Sequence, residues 1–359
     1  MQNKLINIIH DVLNGSKNKY KLTEKDVKIA EFHKIDSYLY VACDKTETSP
    51  EVLRQIKQKH MRDIQRDVVQ LNQLEKITDA FEEAGLDCLP LKGSVMKSLF
   101  PYSYLRFMGD IDILIHEADM KRASKIMNSM GYQTGTNSYN HLGFEKPPLM
   151  EVEMHRDLLP FESKGSDQMA GIWNRVKLVE GRKHVYKMTD EDFLLFMLFH
   201  LYKHYSKNGT GIRSFIDLYV YQRALKGLDR AYVDSKLGEA GILEISRDFL
   251  DFSSDYFDLV ETKDKFKKME KVVYESGVFG SAQLRTEREL KDNQGNKFKV
   301  VLRKIFPSAG YMIQKYRFLE HKRYLLPIFY IGRVFKLVFI KPFHSIDRVR
   351  LLNKYDKKK

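Results

Sequence analysis

With 359 residues, 43% of them hydrophobic, the chain can bury a substantial core and has room for about two or three domains. Its two cysteines, Cys43 and Cys88, give neither zinc spacing nor a disulfide framework, and no uncharged apolar run is long enough to span a bilayer, which leaves a reducing cytoplasm as the expected setting. The net charge of +13 is localised: residues 301–359 hold 15 Lys and Arg against 3 Asp and Glu, leaving 46 against 45 in residues 1–300.

Residues 1–85 read as a helical region. Leu5, Ile6, Ile8, Ile9, Val12 and Leu13 form a first apolar face, ended by Asn14-Gly15-Ser16. Leu22-Thr23-Glu24 opens a second helix, with an apolar face through Ile29, Phe32, Ile35 and Leu39. Ser49-Pro50-Glu51 supplies an N-cap and a proline at the first helical position, so a long helix runs to about Ala84, where Gly85 stops it. Met1 to Leu5 contains no apolar core of a secretory signal.

Residues 86–185 carry the chemistry. The pattern predicts a strand at Cys88–Leu91, a turn and helix at Gly93–Phe100, a strand at Gly109–Ile115 and a helix at Glu117–Met130. Strand pieces follow at Tyr132–Gln133, His141–Phe144 and Leu149–His155. Residues two apart in a strand share a face, so Asp110 and Asp112 project together while Ile111 and Ile113 project oppositely. Glu151 and Glu153 repeat the pattern, and His155 shares their parity. Carboxylates brought together without cations repel, and a hard divalent cation such as Mg²⁺ resolves the conflict. Upstream, Lys92-Gly93-Ser94 follows an apolar run, and backbone N–H groups of such a turn form an anion site. A phosphate cradle beside a two-metal carboxylate cluster is what nucleotidyl transfer requires. Arg106 either approaches a triphosphate, which its planar guanidinium suits, or pairs with one of the acids. Trp173, the only tryptophan, reads as a core residue.

Residues 186–300 return to helix. Thr189-Asp190-Glu191-Asp192 caps an apolar helix, Phe193–Tyr205, that carries His200, Lys203 and His204. The two histidines are spaced for zinc, yet no Cys or third His is placed to complete a set. Arg213 and Asp217, four apart, read as a helix pair. Glu275–Gly280 is a glycine-punctuated turn, and 291–296 is a polar loop. The tail, 301–359, alternates basic with aromatic and aliphatic residues. It can pack its aromatic face and leave its lysines in water, lie on an anionic membrane, or bind nucleic-acid phosphates.

Leu91-Lys92-Gly93-Ser94, then Arg106-Phe107-Met108-Gly109-Asp110-Ile111-Asp112-Ile113-Leu114-Ile115, then Val152-Glu153-Met154-His155, resembles the nucleotidyltransferase superfamily typified by DNA polymerase beta. More narrowly, it is similar to a bacterial branch filed as uncharacterised nucleotidyltransferases. The similarity is best over about residues 85–160, and the gap from Ser94 to Asp110 is longer than in many superfamily members. The resemblance implies an α+β fold: a small mixed sheet with helices at 86–185, flanked by helical regions at 1–85 and 186–300 and by the tail at 301–359. It implies three carboxylates holding two Mg²⁺ ions, here Asp110, Asp112 and Glu153, with Glu151 a rival for the third. Gly93 and Ser94 match the phosphate-binding turn, with Lys92 and Arg106 as its cationic neighbours; the family's helical segment also carries His and Lys positions followed by an Arg and an Asp, here Arg213 and Asp217. The implied reaction moves a nucleoside monophosphate from an NTP to an acceptor and releases pyrophosphate. Two other readings stay open: a nucleotide-binding module without turnover, and a membrane-surface or nucleic-acid binder acting through the tail.

Overall fold

A computed structural model of the chain describes residues 2–335, apart from positions 139, 149, 162, 278–279, 281–283, 285–287, 289, 292 and 295. The end of the basic tail, 336–359, and parts of the expected turn at 275–280 and loop at 291–296 therefore lie outside the described residues.

Four helices come first: α1 (Gln2–Leu13), α2 (Glu24–His33), α3 (Asp36–Ala42) and α4 (Pro50–Glu83). Thr23 and Asp26 cap α2 reciprocally. The apolar face through Ile29, Phe32, Ile35 and Leu39 predicts one helix where the structure has two, because Lys34 turns left-handed at φ 55° and closes α2 onto the Ala30 and Glu31 carbonyls. The long α4 starts as its sequence signals, with the Ser49 side chain accepting from the Val52 N–H and Pro50 in its first turn.

Next come β1 (Cys88–Pro90), α5 (Lys92–Lys97), β2 (Ile111–Ile115), α6 (Met120–Ser129), β3 (Gln133–Asn137), β4 (His141–Lys146), β5 (Met150–His155) and α7 (Ser166–Met169). A short hairpin, β6 (Lys177–Leu178) and β7 (Tyr186–Lys187), leads into α8 (Asp190–Lys207), α9 (Ile212–Ala224), α10 (Arg230–Glu239), α11 (Leu243–Phe257) and α12 (Lys267–Ser276). The described tail contains α13 (Lys297–Ile305), α14 (Ala309–Lys315) and α15 (Leu326–Phe335). The class is mixed α+β.

The main sheet has five strands in the order β1-β2-β5-β4-β3. β2 and β5 run parallel at its centre, and every other neighbouring pair is antiparallel. Alternation along β2 separates two cores. Ile111, Ile113 and Ile115 pack with Ile77 and Phe81 of α4 and Met120, Ala123 and Met127 of α6. Leu114, on the opposite face, joins a larger cluster that unites Leu5 and Ile9 of α1 with Leu198 of α8, Phe215 of α9 and Phe249 of α11. Each such side chain, fully buried, contributes roughly 1.5–3 kcal/mol. The sheet is thus pressed between α4 and α6 on one side and a helical body on the other.

The tail helices build an aromatic cluster of their own: Phe306 meets Tyr330, and Tyr316 and Phe318 meet Phe329. The Tyr330 hydroxyl donates to the Pro307 carbonyl. The opposite side of α15 leaves Ile328 61%, Ile331 70% and Phe335 57% exposed. No helix among the described residues is long and apolar enough to cross a membrane.

Candidate active site

Asp110 sits immediately before β2 and Asp112 within it, on the face turned toward the helical body. Parallel pairing makes Asp112 and Glu153 direct neighbours across β2 and β5. One carboxylate oxygen from each of Asp110, Asp112 and Glu153 lies within 4.8 Å of the others. Glu151, exposed and paired to Glu145 on the β4 side, is outside this group. α4 fixes the approach to the site, since Gln70 donates to the Met108 carbonyl at 3.0 Å.

This crowding is unfavourable without a cation. Burial and the charges of Asp112 and Glu153 push the Asp110 carboxyl up to about 7. His155 is the local relief. Its Nε2 lies 2.9 Å from Asp112 Oδ1 and 3.5 Å from Glu153 Oε2. Burial opposes its charge, but hydrogen bonds to Asp112 and Glu153 prevail and raise it to about 9. The spacing of three carboxylates around one point fits a hard divalent cation, and the imidazolium occupies the rim of that point.

Facing the acids is the opposite charge. Arg106, from the loop before β2, is buried and pairs twice with Asp217 of α9, at 3.1 Å and 2.8 Å. Lys92 Nζ, also buried, stands 3.5 Å from the same carboxylate. Arg213 donates to the Phe107 carbonyl at 3.2 Å and lies over the Phe107 ring. Burial and Arg106 depress the Arg213 guanidinium to about 10. Burial likewise lowers Lys203 of α8, while Asp112 and Glu153 counter that effect. Lys92, Arg106 and Arg213 therefore surround a single carboxylate, and the excess positive charge faces the acidic cluster.

Lys92, Gly93 and Ser94 belong to the first turn of α5, so the turn expected at the start of Gly93–Phe100 is already helix. Leu91 is already extended, so the helix opens at Lys92. Ser94 Oγ donates back to the Leu91 carbonyl at 2.8 Å. Glycine at 93 also has a packing reason, since a Cβ there would stand 2.7 Å from Met108 Sδ. A buried ion pair from Lys97 to Asp67, with Ser103 donating to the same carboxylate, ties α5 to α4.

Two expectations change. Asp217 answers Arg106 and Lys92 across the fold, in place of an isolated helix pair with Arg213. Trp173 does pack against the larger core, but it is only half-buried and stacks on His116 at 4.0 Å. His200 and His204 lie with rings 4.5 Å apart, but burial keeps both uncharged, His204 at about 3. Neither falls in a three-residue metal-type group among the described residues. His141 and Asn140, which no spacing signal singles out, reach the site from β4 and the residue before it.

No curated protein and no solved structure matches the chain. The donor set nonetheless is one that could hold a divalent metal ion. The family model described as an uncharacterised nucleotidyltransferase matches residues 23–258, and this chain, with its paired carboxylates at the centre of that span, belongs to that family.

Proposed function

We propose that the protein is a Mg²⁺-dependent nucleotidyltransferase that moves a nucleoside monophosphate from an NTP to an acceptor with release of pyrophosphate. The observation that carries this reading is the juxtaposition of the acidic group with a buried surplus of cations. Asp110, Asp112 and Glu153 converge within 4.8 Å, and Lys92, Arg106 and Arg213 gather near Asp217. A metal triphosphate has the charge distribution that satisfies both halves.

In this reading Asp110 and Asp112 hold the ion that carries the triphosphate, and Glu153 shares a second ion with them. Bound Mg²⁺ supplies neutralisation of the triphosphate and acidification of the acceptor hydroxyl or amine. Lys92, Arg106 and Arg213 grip the β- and γ-phosphates, helped by the N–H groups of Gly93 and Ser94, which the first turn of α5 leaves without a partner inside the helix. Asp217 keeps Lys92 and Arg106 in place, while the Phe107 carbonyl holds Arg213. His155, hydrogen-bonded to Asp112, aims that carboxylate at the metal position. The chemistry then belongs to residues 86–185, and the phosphate grip is shared with 186–300. Calorimetry with a non-hydrolysable triphosphate tests the model: binding is expected only with Mg²⁺, and Mg²⁺-independent binding overturns it. Mass spectrometry after incubation with each labelled triphosphate identifies the acceptor.

For the tail, the exposed stripe of Ile328, Ile331 and Phe335 favours an anionic membrane surface over nucleic acid. Apolar side chains enter a bilayer interface, whereas a phosphate backbone has no use for them. Arg323 precedes the stripe in sequence, and Arg333 falls between Ile331 and Phe335 with its guanidinium over the Tyr311 ring.

A further inference from the structure

His141, Glu153 and His155 form a second donor group whose chemistry differs from the all-oxygen trio. The strand register makes it: His141 is the cross-strand partner of His155, and Gly143 that of Glu153, so the three side chains share one face on successive rungs of β4 and β5. His141 Nε2 lies 3.3 Å from Glu153 Oε1, and His155 Nε2 lies 3.5 Å from Glu153 Oε2. Glu153 thus turns one oxygen to each imidazole.

A second observation lies behind His155. Asn140 Nδ2 is 3.3 Å from His155 Nδ1, while Asn140 Oδ1 is buried and has no hydrogen-bond partner among the described residues. The two ends of an amide are equal in shape, and half a turn of this one sets its oxygen against an Nδ1–H donor and leaves its nitrogen in the place the oxygen held. Nε2, which donates to Asp112 Oδ1 at 2.9 Å in the metal-free protein, releases that proton to water when an ion binds and turns its lone pair to the ion beside Glu153. A carbonyl oxygen fixing the far nitrogen of the ring is the usual support for a metal-bound histidine. Two imidazoles and a carboxylate suit zinc-like ions and suit Mg²⁺ poorly, because Mg²⁺ prefers oxygen throughout.

We infer that His141, Glu153 and His155 bind a divalent transition metal of the zinc class, at a site that shares Glu153 with the Asp110–Asp112 cluster. Three protein ligands leave a coordination position for water. Because one carboxylate serves both sites, a zinc-class ion draws Glu153 away from the oxygen cluster and opposes Mg²⁺ binding there. That antagonism, unlike the site itself, rests on the Mg²⁺ reading given above.

The test uses the full-length, metal-stripped protein titrated with Co²⁺ and Zn²⁺, followed by visible absorption and calorimetry. Co²⁺ is expected to give the ligand-field band of a four- or five-coordinate ion, and Zn²⁺ to displace it at one equivalent. His141→Ala should weaken Zn²⁺ binding by about tenfold or more, and Asn140→Ala by about ten- to a hundredfold. Asn140→Asp, which keeps an oxygen toward Nδ1, should retain the affinity. Asp110→Asn should perturb Zn²⁺ far less than His141→Ala does, although it removes a ligand of the oxygen cluster. Wild-type affinity in His141→Ala overturns the assignment, as does Zn²⁺ binding no tighter than Mg²⁺. A Co²⁺ site that persists in a protein without Mg²⁺-dependent triphosphate binding overturns the catalytic reading alone.

Discussion

Asp217 on α9 meets Arg106 across 111 residues of sequence, in a bidentate pair with almost no solvent access. The same carboxylate also answers Lys92. One acid therefore holds the loop before β2, the start of α5 and the helical body in a single arrangement. Removing one partner of a buried pair costs about 3–5 kcal/mol, because the other charge is left stranded. Asp217→Ala is expected to lose stability on that scale in urea unfolding. A loss below roughly 1 kcal/mol would show that Lys92 and Arg106 find water on their own.

Arg213 should behave in the opposite way. Its hydrogen bond goes to a backbone carbonyl, and burial together with Arg106 already depresses its charge. Arg213→Gln should leave stability nearly unchanged while weakening Mg²⁺-triphosphate binding by about ten- to a hundredfold, the scale of a lost charge-assisted hydrogen bond. Calorimetry beside thermal melting separates the two effects, and equal triphosphate affinity would remove Arg213 from the phosphate grip.

Asp110→Asn and Asp112→Asn should each abolish Mg²⁺-dependent triphosphate turnover with the fold intact. For Asp110 a further effect is expected. Its ionised form is opposed by burial and by two neighbouring acids, so the amide should raise the melting temperature of the metal-free protein. Unchanged metal-dependent binding in both variants sinks the two-ion arrangement.

The two glutamates on β5 should part company. Glu153 adjoins Asp112, whereas Glu151 is exposed on the rung beside Glu145. Glu153→Gln is expected to reduce turnover by about a hundredfold or more, as when a transition-state charge stabiliser is lost. Glu151→Gln should cost about tenfold or less. Measured at saturating Mg²⁺, a severe Glu151 phenotype would place the metals one rung earlier on the strand.

The metal-free protein should lose stability as pH rises. Asp110 titrates at about 7 in the fold against 3.8 for the free group, so its contribution is complete below 3.8 and fades as pH passes about 7. His155 moves from 6.5 to about 9, so its contribution is present below 6.5 and is lost as pH passes about 9. Mg²⁺ needs the ionised Asp110, and its stabilising effect should grow as pH rises through about 7. Melting temperatures on either side of that value, with and without Mg²⁺, decide the matter. An equal Mg²⁺ increment at both would contradict the shared site.

The tail can be tested without any knowledge of the reaction. Ile328→Glu combined with Ile331→Glu should abolish flotation with anionic vesicles and leave the melting temperature unchanged, since both side chains stand in water. Retained flotation would mean that charge alone, or another surface, carries the contact.

Strand parity is local, so spacing alone paired Asp110 with Asp112 and Glu151 with Glu153, while the choice of Glu153 over Glu151 came from the family resemblance. What surrounds it was not. Asp217 four residues after Arg213 suggests a helix pair, and nothing local reveals that its partner lies before β2. His141 gains meaning only once β4 is set against β5, since a one-residue slip would send its side chain to the other face. The Lys34 break between α2 and α3 escaped because lysine is not a usual left-handed residue, and only the helix's closing hydrogen bonds require it. Hydrophobic periodicity located the long helix and the strands, while the counter-ions depended on contacts that no periodicity carries.

The larger hydrophobic cluster joins the first helix to the eleventh, and His10 Nδ1 reaches the Phe257 carbonyl at 2.7 Å across 247 positions. On a ribosome this sets an order of events. The sheet from Cys88 to His155 has all of its strands early, whereas α1–α3 must wait for residues near 257 before their apolar faces are covered. Contacts so distant in sequence close slowly. The nascent chain therefore spends part of its synthesis with Asp110, Asp112 and Glu153 already made and two of the four neighbouring cations, Arg213 and Lys203, not yet in place.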